Sequence, residues 1–227
     1  MMNNNENNRQ QYVYQFRVFV QKVSPVIWRR LILRGDQTLS VFHETLQIIF
    51  GWSDEFLHRF QIRGRTYAVP RLWGIEYTKS AEKVTLQSLN LHLRERFLYE
   101  YNFLDWWRVE IRLEKILAID DAQYYPYCIN GSQAGPLEDC GGPNAYLRLR
   151  TTSYDPLSLI LRFQEMADEY QDDREYGRWI RETFPNLGYW LKVHHFDRDD
   201  ANQQLQQLSI TGVEHENHDA SDSYPRG

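Results

Sequence analysis

Lysine is scarce in this chain, cysteine scarcer, and long apolar runs are absent; each shortage removes a class of protein. Two cysteines, Cys128 and Cys140, are too few to staple 227 residues, so they read as free thiols or ligands in a reducing compartment. No stretch approaches the roughly 18 apolar residues that a membrane span needs, and the opening MMNNNENNRQ lacks the apolar centre of a secretory signal. The expectation is a soluble, cytoplasmic protein with no membrane partner. Lysine occurs only at Lys22, Lys79, Lys83, Lys115 and Lys192, which leaves the positive charge mostly to arginine, a residue suited to bidentate contacts with carboxylate or phosphate. Residues 1–118 carry 17 Lys plus Arg against 12 Asp plus Glu, and residues 119–227 carry 9 against 19, so the halves are +5 and −10. That excess is too small for a protein that grips phosphates over its whole surface. There is no internal repeat.

What is present is enough apolar content, 42%, for one substantial core. Residues 1–10 and 211–227 are polar and read as disordered tails around a single domain at 11–210. "YVYQFRVFV" alternates with a period of two and is followed, after Ser24-Pro25, by "VIWRRLIL"; the two predict an antiparallel pair. Phe42, Leu46, Ile49 and Phe50 have helical spacing, with Ser40 as the expected cap and Gly51 as the stop. Gly64 predicts a hairpin turn, and "RFLYEYNF" and "WWRVEIRLEKIL" predict two more strands. Beyond residue 118 the spacing turns helical, in "DPLSLILRFQEMADEY", "REYGRWIRETF" and, opened by Asp197, "DRDDANQQLQQL". Strands first and helices later predict an α+β fold: an antiparallel sheet with one early helix and a helical C-terminal part packed on it.

The densest chemistry lies in "CINGSQAGPLEDCGGPNAY", residues 128–146. Zinc needs three or four Cys, His or carboxylate ligands, usually in short local pairs. Cys128 and Cys140 form no such pair, so a metal site there would be a composite of His58, Cys128, Asp139 and Cys140. Catalysis would draw on Asp105, Glu138, Asp139 and Cys140; two or three carboxylates without histidine would favour magnesium or manganese. Adjacent acidic residues oppose a reactive Cys140 thiolate. The structural alternative is a turn in which Gly141-Gly142 permit positive φ, Pro143 opens a helix, and the preceding carboxylates accept its orphan amides. Arg29 and Arg30 must point to opposite faces of their strand, available for pairing with an acid such as Glu44 or Glu114, or for phosphate. With Trp52, His58 and Trp107, they are the candidate binding residues.

Taken in order, "IWRRL", "FGWSDEFLHRF", "YNFLDWWRVEIRLEK", the 128–146 loop and "FDRDDANQQL" resemble the plasmid pRiA4b ORF-3-like proteins, also labelled TnpR-type insertion-sequence passenger proteins. The resemblance spans about residues 11–210. It implies an α+β domain of bacterial and archaeal genomes, often near mobile elements, and carries no biochemical activity with it. This chain departs from the family pattern at Phe56, where a His-Leu-His triplet loses its first histidine, and at Asn102, Leu104 and Val109, where a carboxylate, a glycine and a histidine are replaced. The leading expectation is a non-enzymatic interaction module of plasmid or mobile-element type, needing no cofactor and binding a protein partner through an aromatic-rich surface; aromatics are 15% of the chain. The second is a metal-dependent hydrolase or nuclease-like enzyme using the Glu138-Asp139-Cys140 loop, and the third is a DNA-binding accessory protein.

Overall fold

The computed structural model describes residues 12–68, 79–153 and 187–219, with a few positions between 157 and 178. The tail expected at 1–10 and most of the two helices expected over 155–184 lie outside the described residues. Eight strands form one sheet: β1 (Tyr12–Val20), β2 (Trp28–Arg34), β3 (His58–Ile62), β4 (Arg65–Ala68), β5 (Lys79–Ser80), β6 (Arg96–Tyr101), β7 (Trp107–Ala118) and β8 (Tyr127–Ser132). Their order is β5-β4-β3-β6-β7-β1-β2-β8, antiparallel throughout except for the parallel β4–β5 pair. Among the described residues the helices with assigned bounds include α1 (Leu39–Phe50), α2 (Gly142–Arg148), α3 (Leu187–Leu191) and α4 (Arg198–Asp219). This is the α+β architecture that the order of periodicities predicts.

Alternation sorts the strand residues cleanly. Tyr14, Phe16, Val18 and Val20 on β1, Leu31 and Leu33 on β2, and Val109, Ile111 and Leu113 on β7 are buried on one face. Helix α1 lies over that face through Leu39, Phe42, Leu46 and Ile49; the Phe42 ring is 5.0 Å from Phe16 and 5.8 Å from Phe60. Burying each of these side chains contributes about 1.5–3 kcal/mol. Tyr146 of α2 stands edge-on to Trp107 and stacks on Trp190 of α3, which extends the core under the C-terminal part.

Three details differ from the sequence reading. The cap of α1 is Thr38, not Ser40: Thr38 has extended dihedrals and its side chain accepts the Val41 amide, whereas Ser40 already lies inside the first turn. Gly51 does end the helix, at φ 70°, where its amide reaches back to Gln47 and Ile48. A strand also follows residue 118, because the start of the 128–146 loop is β8, paired with β2. Its glycine and Asn130 mask the period of two. Finally, α4 runs on to Asp219, past the expected end of the domain at 210. Asp197 starts it as expected, accepting the Asp200 amide, and the Asn202 side chain bonds both the amide and the carbonyl of Cys128, pinning α4 to β8.

Candidate functional site

The residues first suspected of catalysis meet in one place, but around backbone. Asp105 sits in the β6–β7 turn, built by Asn102, whose side chain accepts the Leu104 and Asp105 amides. One carboxylate oxygen of Asp105 accepts the amides of Cys140 at 2.9 Å and Gly141 at 3.0 Å. The anchor of the expected carboxylate-held turn is therefore Asp105, remote in sequence, rather than the adjacent acids. Gly142 has φ 76° and presses on the Asp105 carbonyl, so closely that a Cβ there would stand 2.3 Å from the oxygen. Glu138 turns the other way, accepting from the Ser53 amide and hydroxyl and from the Tyr101 hydroxyl, while its own carbonyl receives Asn102 and Trp107. Burial, helped by Asp105 and Asp139, pushes the Cys140 thiol up to about 11. A thiol so placed is a poor nucleophile near neutrality.

The other suspected residues separate. Trp52 is buried, stacked on Tyr101, and its indole donates to the Pro136 carbonyl. Trp107 is fully buried, as is Val109. Arg29 and Arg30 do point to opposite faces. Arg29 is fully buried: its guanidinium donates to the Ile49, Trp28 and Ser132 carbonyls and lies 3.7 Å over the Phe196 ring. Burial lowers it to about 9, so it stays charged at neutral pH. Arg30, on the other face, pairs with Glu114 at 2.6 Å.

Cys128, Asp139 and Cys140 do not join His58 in a ligand cluster. Among the described residues the cluster that does form is His43, Asp54 and His58, whose ligand atoms all lie within 4.8 Å of one another. His43 comes from the buried side of α1, Asp54 from the loop after it, and His58 from β3; the two imidazoles stack at 3.4 Å. Gln47 donates to the Tyr99 hydroxyl, Tyr99 bonds Nδ1 of His43 at 2.8 Å, and Nε2 of His43 meets the Asp54 carboxylate at 2.9 Å. The chain of donors is consistent only if His43 carries its proton on Nε2. Burial holds the Tyr99 phenol well above its ordinary range, so it stays a donor. Burial and the Asp54 charge likewise raise neighbouring Glu44. Sequence reasoning found His58 and missed His43 and Asp54. The available signal was a histidine among the buried positions of an amphipathic helix.

The face of the sheet opposite α1 carries the open chemistry. Strand registers align Arg96 with Arg112, Arg112 with Arg17, and Arg17 with Arg30, giving one row of four arginines across β6, β7, β1 and β2. With strands about 4.8 Å apart, the row is about 14 Å long. The next row holds Leu98, Glu110, Phe19 and Trp28. Trp28 is overlaid by Arg17 at 5.2 Å and Arg30 at 5.8 Å. Arg30 and Arg96 are paired with Glu114 and Glu110, whereas Arg17 and Arg112 form no ion pair among the described residues. Two grooves border the row, one of about 570 Å³ beside Arg30, Arg112 and Lys115, the other of about 540 Å³ beside Arg96, Arg108 and Gln61. Further along, buried Glu100 receives Arg59 and Arg108; burial raises its carboxyl, but the two arginines outweigh that and hold it low. Trp106, partly exposed, closes this end beside Phe103.

Fold and site together define an α+β domain with an arginine-rich open sheet face on one side and a His43-Asp54-His58 cluster on the other. The model of the plasmid pRiA4b ORF-3-like protein family matches residues 12–201, and the chain belongs to that family. The uncharacterized protein y4hQ of Sinorhizobium fredii is similar, 27% identical over 145 residues that cover 63% of this chain and 74% of the relative. The crystal structure of MM3350, a protein of unknown function from Methanosarcina mazei Go1, has a similar fold, with a TM-score of 0.62 and 26% identity over 84% of this chain and 97% of that one. No helix among the described residues is long and apolar enough to cross a membrane.

Proposed function

We propose that this chain is a non-enzymatic interaction module, an accessory protein of the plasmid or mobile-element type, whose open sheet face binds an acidic segment of a protein partner. The observation that carries the reading is the row of four arginines. Like charges set opposite one another across neighbouring strands cost roughly 0.2–1 kcal/mol per pair. Glu114 and Glu110 neutralise Arg30 and Arg96, so the cost falls on Arg17 and Arg112, where a bound anion would offset it. An α-helix with carboxylates at i, i+4, i+7 and i+11 spans about 16 Å, a close match to the row. The parallel row of Leu98, Phe19 and Trp28 offers apolar contact for the flank of such a helix, the arrangement of an interface with arginine and aromatic anchors.

Nucleic acid is the second reading, favoured by the arginine planes over Trp28, which resemble stacking platforms for bases. Three glutamates on the same face, Glu100, Glu110 and Glu114, weigh against a polyphosphate. The enzymatic reading has less support, since Asp105 and Glu138 are engaged with backbone amides. Tryptophan fluorescence during titration with a synthetic helical peptide carrying the four spaced glutamates, with its glutamine counterpart, and with a single-stranded oligonucleotide tests the choice. The glutamate peptide is expected to bind, more weakly as salt rises, and about tenfold more weakly to an Arg17→Ala, Arg112→Ala double variant. Preference for the oligonucleotide selects the second reading, and binding of neither ligand removes both.

A further inference from the structure

We infer that His43, Asp54 and His58 form a binding site for a divalent transition metal of the zinc type, separate from the sheet face and independent of its role. Two imidazoles and one carboxylate are the donor set of three-ligand zinc sites, which leave a fourth position open. Magnesium and calcium, which seek all-oxygen shells, fit poorly.

The geometry is close to what such an ion needs. A tetrahedral ion with bonds of about 2.1 Å wants its ligand atoms about 3.4 Å apart. Here the three donor atoms already lie within 4.8 Å of one another, and the His43–Asp54 separation is 2.9 Å. The ion would take the place of the proton now shared between Nε2 of His43 and Asp54. The two stacked rings must splay so that their lone pairs converge.

The surroundings suit the role. A ligating imidazole normally donates its second N–H to a fixed acceptor, and Tyr99, 2.8 Å from Nδ1 of His43, can take that part once Nε2 is committed, its hydroxyl turning from donor to acceptor. Gln47 steadies two members at once, donating to Tyr99 and accepting the Asp54 amide at 3.1 Å. Both histidines are buried on rigid elements, α1 and β3, while half-exposed Asp54 gives the ion its way in and the open position its contact with water.

The test uses the full-length chain, stripped with chelator and titrated with cobalt(II), whose absorption reports tetrahedral ligation, and then with zinc in competition. One equivalent per chain is expected, with zinc displacing cobalt. Asp54→Asn, at a half-exposed position, keeps the fold and weakens binding at least about tenfold, and His58→Gln, checked for folding by circular dichroism, does the same. Zinc should also raise the thermal midpoint of the wild type and leave that of Asp54→Asn unmoved. Failure of the wild type to bind, equal binding by both variants, or a sulfur-to-cobalt charge-transfer band implicating Cys128 or Cys140 would each overturn the assignment.

Discussion

On the covered side of the sheet, Arg29 is fully buried, donates from Nε and Nη1 to three carbonyls, leaves Nη2 without a hydrogen-bond partner and lies against Phe196. On the open side, Arg17 and Arg112 stand opposite each other in a row of like charge and form no ion pair among the described residues. The same residue type is a bolt in one place and a standing cost in the other. Helix α1 ends at Ile49 and Phe50 with carbonyls that need donors, and Arg29 reaches the Ile49 carbonyl from beneath; it is kept for stability. Arg17 and Arg112 have no such set of carbonyl acceptors among the described residues, Arg17 lying over Trp28 instead, and the proposed acidic partner is what the two would serve.

The contrast can be broken most forcefully at Arg29. Arg29→Ala strands three carbonyls and opens a cavity against Phe196, and urea unfolding should register a loss of about 3–5 kcal/mol. Next comes the thiol on the covered side. An ordinary cysteine ionises near 8.5, whereas Cys140 is pushed up to about 11, so alkylation of Cys140 in the native protein at pH 8 should run roughly two-hundredfold slower than in urea. The native rate should climb tenfold per pH unit until about 11. The same shift means that the folded state retains a proton the unfolded chain has lost, so stability falls as pH rises from about 8.5 towards 11. A native rate equal to that in urea would restore Cys140 as a nucleophile candidate. Asp105→Ala, which frees the amides of Cys140 and Gly141, should cost about 2 kcal/mol in the same unfolding assay. The smallest effect has the opposite sign: Arg112→Ala relieves repulsion and should leave stability unchanged or raise it by up to about 1 kcal/mol, while weakening the acidic peptide. A destabilised Arg112→Ala protein would make the two faces alike and remove the main support for the binding surface.

Most of the strands and α1 were legible because alternation and helical spacing are local; β5, two residues long, is too short to show a period. β8 was not, since Gly131 and the polar Asn130 and Ser132 dilute its period and its pairing with β2 comes from nearly a hundred residues upstream. The role of the "EDCGG" turn was half legible: the glycines and Pro143 announced a tight helix start, but its anchor, Asp105, is a tertiary contact. The same holds for His43 and His58, fifteen positions apart on a helix and a strand, and for Asp54 between them. The arginine row could have been written down once the strands were paired. Each arginine occupies an outward position, but only register puts them side by side.

Asn202 has a consequence for how these molecules live together. β8 is the last strand of the sheet, and the amide and carbonyl of its Cys128 point away from β2. By answering both with one side chain, Asn202 does the work of a ninth strand over one residue and keeps the sheet's last edge from templating a neighbour. A chain that lost this amide would keep its sheet but gain a sticky border, and its first symptom would be self-association at high concentration.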